Sequence, residues 1–157
     1  MTKVRAKQSV TQDKLLGKDV LCFLNFGETA SYEAPKWALL GGQRSCTYTA
    51  NAEEIDTATK DDGGYGDSEP GVMSTEISLE IICKPKDEAV AALLEAFEAR
   101  EAADVMRWAK SGRSIRNWFS ILSYEETAAK DDAVIISLKL KGKGKPTFKD
   151  SEADPRL

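Results

Sequence analysis

With 157 residues, 41% of them hydrophobic and 31% charged, the chain has the size and composition of one globular domain able to bury its apolar surface without staples. It contains no histidine and carries a net charge of −4, which removes the commonest general base, the Ser-His and Cys-His nucleophile pairs and most zinc sites. No run approaches the ~20 apolar residues that span a bilayer, and neither a Walker loop nor a dinucleotide fingerprint occurs.

Residues 1–16 have no convincing period and read as an N-terminal arm. The opening Met1-Thr-Lys-Val-Arg-Ala-Lys-Gln-Ser is basic without an apolar stretch behind it, so it is not read as a signal peptide. Asp19 to Phe26 is a strand candidate that is apolar on both faces. It is therefore expected to be central or covered on both sides. A turn region from Gly27 leads to Pro35, a short strand covers Lys36 to Leu40, and Gly41-Gly42 makes a bend. Arg44 to Ala50 alternates Cys46 and Tyr48 with Ser45, Thr47 and Thr49, as a half-exposed strand does.

Residues 51–73 are the long inter-strand loop of this reading, with strand-like arms on either side. The loop is acidic and glycine-rich from Lys60 to Gly71, holding Asp61, Asp62, Gly63, Gly64, Tyr65, Gly66, Asp67, Glu69 and Pro70. Only Tyr65 can hold it down, so ordering it gives the isolated domain little, and it is expected to fold against another molecule. Glu76 to Cys83 then alternates strictly: Ile77, Leu79, Ile81 and Cys83 share one face, Glu76, Ser78 and Glu80 the other.

After Pro85, Asp87 is a good N-cap, and Val90, Leu93, Leu94 and Phe97 follow the helical spacing of an amphipathic helix with a narrow apolar stripe. Strands resume from Val105 to Lys110 and from Ser114 to Tyr124, separated by a turn at Ser111-Gly112. Val134 to Lys143 closes the sheet with Ile136, Leu138 and Leu140 inward and Ser137, Lys139 and Lys141 outward. Residues 145–157 read as a C-terminal tail. About seven strands with one helix predict a mainly β, antiparallel sandwich or barrel in one domain covering residues 1–157.

Cys22, Cys46 and Cys83 are odd in number and lack paired spacing, so they read as small buried hydrophobes in a reducing compartment rather than a metal site. Asp61, Asp62, Asp67 and Glu69 offer hard oxygen ligands but not the EF-hand spacing, so no metal or cofactor is expected. Charge is segregated along the chain. Before Asp19, five cations (Lys3, Arg5, Lys7, Lys14, Lys18) oppose Asp13 alone, a net of +4. Between Asn51 and Glu80, nine acids oppose Lys60, a net of −8. Such opposed blocks suit a head-to-tail assembly, with Lys3, Arg5, Lys7, Lys143 and Lys145 as candidate partners for the acidic loop. Ordinary solvated charge is the plainer reading. A second reading takes Lys139, Lys141, Lys143 and Lys145 as a track for a nucleic-acid backbone, with Trp108, Trp118 or Phe148 as stacking faces.

The order and spacing of several short motifs resembles the major tail tube proteins of long-tailed (siphovirus-type) bacteriophages. They are Gly17-Lys18-Asp19-Val20-Leu21, Gly41-Gly42-Gln43-Arg44-Ser45, Glu54-Ile55-Asp56-Thr57, Lys60-Asp61, Gly63-Gly64-Tyr65, Pro70-Gly71 and Lys141-Gly142-Lys143-Gly144. The resemblance covers residues 17–144. It implies a non-enzymatic virion protein whose hexameric rings stack into the hollow tube that conducts DNA into the host. It also implies that strands of neighbouring subunits join around the bore, and that the acidic loop and the termini bridge rings. The implied partners are further copies of itself, a tape measure protein and the tail terminator and tail tip proteins, with DNA only in transit and no membrane insertion. The location implied is the virion tail, with assembly in the host cytoplasm. Glu76, Ser78 and Glu80 are candidates to face the bore. The tube of a gene-transfer particle or of a contractile secretion machine, and a soluble nucleic-acid-binding barrel, are the alternatives.

Overall fold

The computed structural model describes residues 14–157. Lys3, Arg5 and Lys7, and with them most of the N-terminal arm, lie outside the described residues, as does the side chain of Asp62. One antiparallel sheet holds β1 (Val20–Asn25), β2 (Trp37–Leu39), β3 (Gln43–Asp56), β4 (Ser68–Ile82), β5 (Ala102–Ala109), β6 (Ser114–Thr127), β7 (Ile135–Gly142) and β8 (Thr147–Lys149). Its order is β2-β1-β5-β6-β7-β4-β3, with β8 added on β6. The helix α1 (Glu88–Ala99) links β4 to β5.

The alternation read in the sequence decides which faces meet. Ile77, Leu79 and Ile81 of β4 and Ile136, Leu138 and Leu140 of β7 are opposite partners in the ladder, and all six are buried. They share one core with Cys22 and Leu24 of β1, Ala103 and Val105 of β5, and Phe119 of β6. The sheet therefore folds over on itself and encloses an apolar interior, each such aliphatic side chain contributing about 1.5–3 kcal/mol of burial. Long β6 makes the corner. Its first half pairs with β5, its second half pairs with β7, and a register shift falls between Ile121 and Ser123.

Helix α1 closes one end of this core with Ala89, Val90 and Leu93. Asp87 is its N-cap, as expected, with Oδ1 accepting from the backbone N–H groups of Ala89 (3.1 Å) and Val90 (3.3 Å). The other carboxylate oxygen accepts from the Gly41 N–H at 2.9 Å, so one side chain fixes both the helix start and the bend between β2 and β3. The bend needs glycine, because Gly42 sits at φ +77° and an added Cβ would strike the Ile82 carbonyl.

The fold also shows what closes the seam between β1 and β3. No strand pairing joins them; the Gln43 carboxamide takes its place. The Cys22 N–H donates to Gln43 Oε1 (3.0 Å), and Gln43 Nε2 donates to the carbonyls of Cys22 (2.7 Å) and Leu40 (2.6 Å). Cys22 and Cys46 lie across the same seam as a disulfide with Cα atoms 7.0 Å apart, while Cys83 is free. This corrects the expectation of three separate buried thiols: the folded sheet brings two of them together from 24 residues apart.

β1 and β5 are covered on both faces. Phe23, Met106 and Trp108 form a second small core on the outer side. The C-terminal segment covers it, and the Trp108 Nε1–H donates to the Glu152 carbonyl at 3.1 Å. Residues 145–157 are therefore not a free tail. Thr147, Phe148 and Lys149 pair with Arg116, Ile115 and Ser114, which the sequence hides because three residues carry no readable period. The loop between β1 and β2 is pinned to the same side by Arg116. Its guanidinium holds the buried Asp104 (3% exposed) at 2.6 Å, donates to the Tyr32 carbonyl at 2.8 Å and lies 3.9 Å above the Tyr32 ring. Asn25 Nδ2 supplies the Asp104 carboxylate with a further donor at 3.0 Å.

Candidate functional site: arm, edges and polar face

Three surfaces stand out. The first is a projecting hairpin. β3 and β4 stay paired far beyond the core, from Ala50 opposite Thr75 to Asp56 opposite Ser68. The long loop read at 51–73 is thus narrower, since residues 51–56 and 68–73 are strand, and the connection is 57–67 with a single 3₁₀ turn at Lys60–Asp62. Glu69 and Pro70 belong to β4, opposite Ile55 and Glu54; Asp61, Gly63, Gly64, Tyr65 and Asp67 form the tip. Every described side chain of residues 51–70 is exposed, including Ile55 and Tyr65 (81%), and Val72 and Met73 follow them. A two-stranded ladder without a covered face is marginal in water, and this one also exposes Ile55, Tyr65, Val72 and Met73.

The second surface is a pair of open edges. β3 pairs only with β4, so among the described residues its other edge has no strand beside it. β5 leaves β6 at Ser120, so Ser123 to Thr127 is paired with β7 on one side alone. The four strands β3-β4-β7-β6 thus form a wall with a free edge at each end, which soluble proteins normally blunt or cover.

The third surface is the outer face of that wall. Glu76, Ser78 and Glu80 face away from the core, as expected, and stand opposite Lys141, Lys139 and Ser137 of β7. Glu76 pairs with Lys139 Nζ at 3.6 Å and Glu80 with Arg44 Nη1 at 3.7 Å. Lys139 and Lys141 are therefore interleaved with carboxylates rather than forming an unopposed cationic strip. Of the proposed stacking faces, Trp108 is buried and Trp118 is covered on one side by Tyr32, ring centroids 5.8 Å apart. Lys143 and Lys145 are exposed just past the end of β7, beside the root of the hairpin. Among the described residues no group of carboxylates, histidines or cysteines is placed to hold a metal ion.

What sequence reasoning missed is the length of the arm and the seam-closing role of Gln43. For the arm the signal was available: Asn51 to Asp56 and Ser68 to Met73 flank the glycines symmetrically, but their charge argues against strand.

The model of a family described as phage tail tube protein matches residues 15–148. No curated protein sequence matches the chain. Among solved structures, the tail of an empty gene transfer agent particle, refined helically with C6 symmetry, is similar with a TM-score of 0.77 and 19% identity over 87% of this chain and 99% of that one. The SPP1 tail tube, solved by solid-state NMR and cryo-EM, is similar with a TM-score of 0.74 and 16% identity over 91% of this chain and 83% of that one. A chain in the baseplate of the anti-feeding prophage shares the fold at a TM-score of 0.65 and 10% identity over 95% and 100% of the two chains.

Proposed function

We propose, from the premise that this chain belongs to the phage tail tube protein family, that six copies close into a ring and rings stack into the tube. The role is structural, in the tail of a virion particle. The observation that carries the ring is the four-stranded wall with two free edges: in the ring β3 of one subunit pairs with residues 123–127 of β6 in the next. An interface of this heterologous kind closes when its rotation divides a full turn, and closure removes every exposed edge. Six such walls give roughly 24 strands, which at ~4.8 Å spacing and ~40° tilt close on a barrel about 48 Å across its backbone, wide enough for a DNA duplex.

The face that lines this barrel is the polar one. Glu76, Ser78 and Glu80 then point into the bore together with Lys139 and Lys141, and the observed pairing leaves the wall close to neutral. Neutrality suits a conduit, because each phosphate neutralised by a free cation would add counterion-release affinity and slow DNA in transit. The hairpin tip, through Asp61, Asp62, Gly63, Gly64, Tyr65 and Asp67, reaches the adjacent ring, with Glu69 and Pro70 in its stem. Lys3, Arg5 and Lys7 of the N-terminal arm and Lys143 and Lys145 are cationic partners available to such contacts. A tape measure protein inside the tube and terminator and tip proteins at its ends complete the assembly, which takes place in the host cytoplasm. The purified protein should polymerise, with a tail initiator present, into tubes with six-fold end views in negative stain. Monomers alone at high concentration would overturn the reading.

A further inference from the structure

At the start of β3, between it and β1, lies a groove of about 600 Å³ lined by Gly17, Lys18, Val20, Leu21, Gln43 to Thr47 and Arg107. Among the described residues no carboxylate forms an ion pair with its Lys18 or Arg107. Arg107 lies on the Val105 side of β5, turned toward the interior, and its Nε is buried without a hydrogen-bond partner among the described residues. Burial, and then the like charge of Arg113, push the Arg107 guanidinium below its ordinary pKa; the other group facing it is the Tyr48 phenol, itself pushed up by burial. Arg44 is held by Glu80 on the wall's outer face. A half-buried cation with no counter-charge beside it is costly unless an anion arrives from elsewhere.

The acceptor is present on the same strand. The groove takes the first residues of β3, Gln43 to Thr47, and the acidic arm begins at its last ones. At ~3.3 Å per residue the two are on the order of 35 Å apart. The arm offers Glu53, Glu54, Asp56, Asp61, Asp67 and Glu69 against Lys60 alone, and it projects away from the groove. Two complementary surfaces at opposite ends of one strand cannot satisfy each other within a subunit; they can between subunits placed head to tail, and that contact repeats without closing. Lys143 and Lys145 stand at the arm's own root, at the wrong end for this contact.

We infer that the groove between β1 and β3 is the receptor for the acidic hairpin of a second copy in the adjacent ring, and that an arm carboxylate pairs with the Arg107 guanidinium that lines it. This rests on the tube reading and adds the site at which rings lock. The test uses the full-length protein in a polymerisation assay followed by light scattering and negative stain. Arg107→Gln with Arg113→Gln should raise the concentration needed for tubes at least tenfold and flatten its dependence on NaCl. Asp56→Asn with Glu69→Gln, on exposed positions that cannot disturb the core, should do the same. The decisive arm is a charge exchange. Arg107→Glu/Arg113→Glu protein and Asp56→Lys/Glu69→Lys protein should each fail to form tubes alone, and an equimolar mixture should recover them. Wild-type-like tube formation by the arm variant, or a mixture of folded proteins that stays dispersed, would overturn the groove as receptor while wild-type tubes leave the tube reading intact. Wild-type protein that forms no tubes fails the tube reading itself.

Discussion

Asp104 shows how one carboxylate organises a surface loop. It is buried, and its negative charge is acceptable there because Arg116 reaches it through Nε (3.0 Å) and Nη2 (2.6 Å) while Asn25 adds a third donor. The hydrogen bond that Arg116 donates to Asp104 is the main reason its guanidinium is pushed above its ordinary pKa. Asp104→Ala leaves the Arg116 charge without its partner and frees the Tyr32 loop. The expected cost is about 3–5 kcal/mol, read as a melting temperature lower by roughly 10 °C. Differential scanning calorimetry checks it, and a change under 2 °C would mean that the pair contributes little. Gln43 works on the same scale, since Gln43→Ala removes three hydrogen bonds at the seam. It should cost about 1–3 kcal/mol by leaving the Cys22 N–H and the Leu40 carbonyl without a partner, while the Cys22 carbonyl keeps the Leu40 N–H, with the loss measured by urea denaturation. Neither residue announced itself in the sequence. Asp104 falls just before the strand read from Val105, and Gln43 sits in a glycine bend, where a polar residue is unremarkable. Arg107 was closer to legible: it shares a strand face with Val105, and an arginine on the core side of a strand has to find an anion or a way out to water.

At the level of elements, local pattern and tertiary context divide the molecule. β4 and β7 could be read because strict alternation of Ile and Leu with Glu, Ser and Lys has one stable solution, a strand with a wet face and a dry one. The helix start could be read because Asp87 acts on its own first turn. The stem of the hairpin could not, because Glu53, Glu54 and Asp56 are poor strand formers and are held extended only by the partner strand across from them. The polar loop therefore looked longer than it is, and the assembly role proposed for it falls to the whole arm rather than to the glycine tip. Joining Ala52 to Met73, which are opposite partners in the ladder, by Asn-Gly removes the arm at a natural hairpin register. The shortened protein should keep its far-UV circular dichroism per residue and melt within a few degrees of the parent, and it should form no tubes. Tubes of normal ring spacing from this variant would show that the arm is dispensable. β8 was illegible for the opposite reason, being too short to have a pattern. Ending the chain at Lys145 removes its pairing with β6 and the acceptor of Trp108. The truncated protein should be less stable by about 2–4 kcal/mol, in line with loss of a hydrogen bond and cover over a buried tryptophan. A red-shifted Trp emission would accompany the loss.

For the whole molecule the governing fact is that one β-wall carries a polar face balanced by its own ion pairs. Glu76→Lys with Glu80→Lys turns that balance strongly positive without touching the core, since both side chains face away from it. Virions built with this variant should assemble and then release DNA more slowly, the more so at low salt, where phosphate contacts are strongest. Ejection followed by a DNA-binding dye decides it, and an unchanged rate would place this face outside the bore. The continuity of β3 has a mechanical consequence. The strand is one covalent backbone from groove to arm, and its hydrogen bonds to β4 lie across its length, so an axial pull on a column of such subunits loads that ladder in shear, with all its bonds resisting together. Bending loads it differently, because each arm is a thin two-stranded lever standing free of its own core. A tube made this way should resist stretching far better than it resists curvature, behaving as an inextensible but pliant hose.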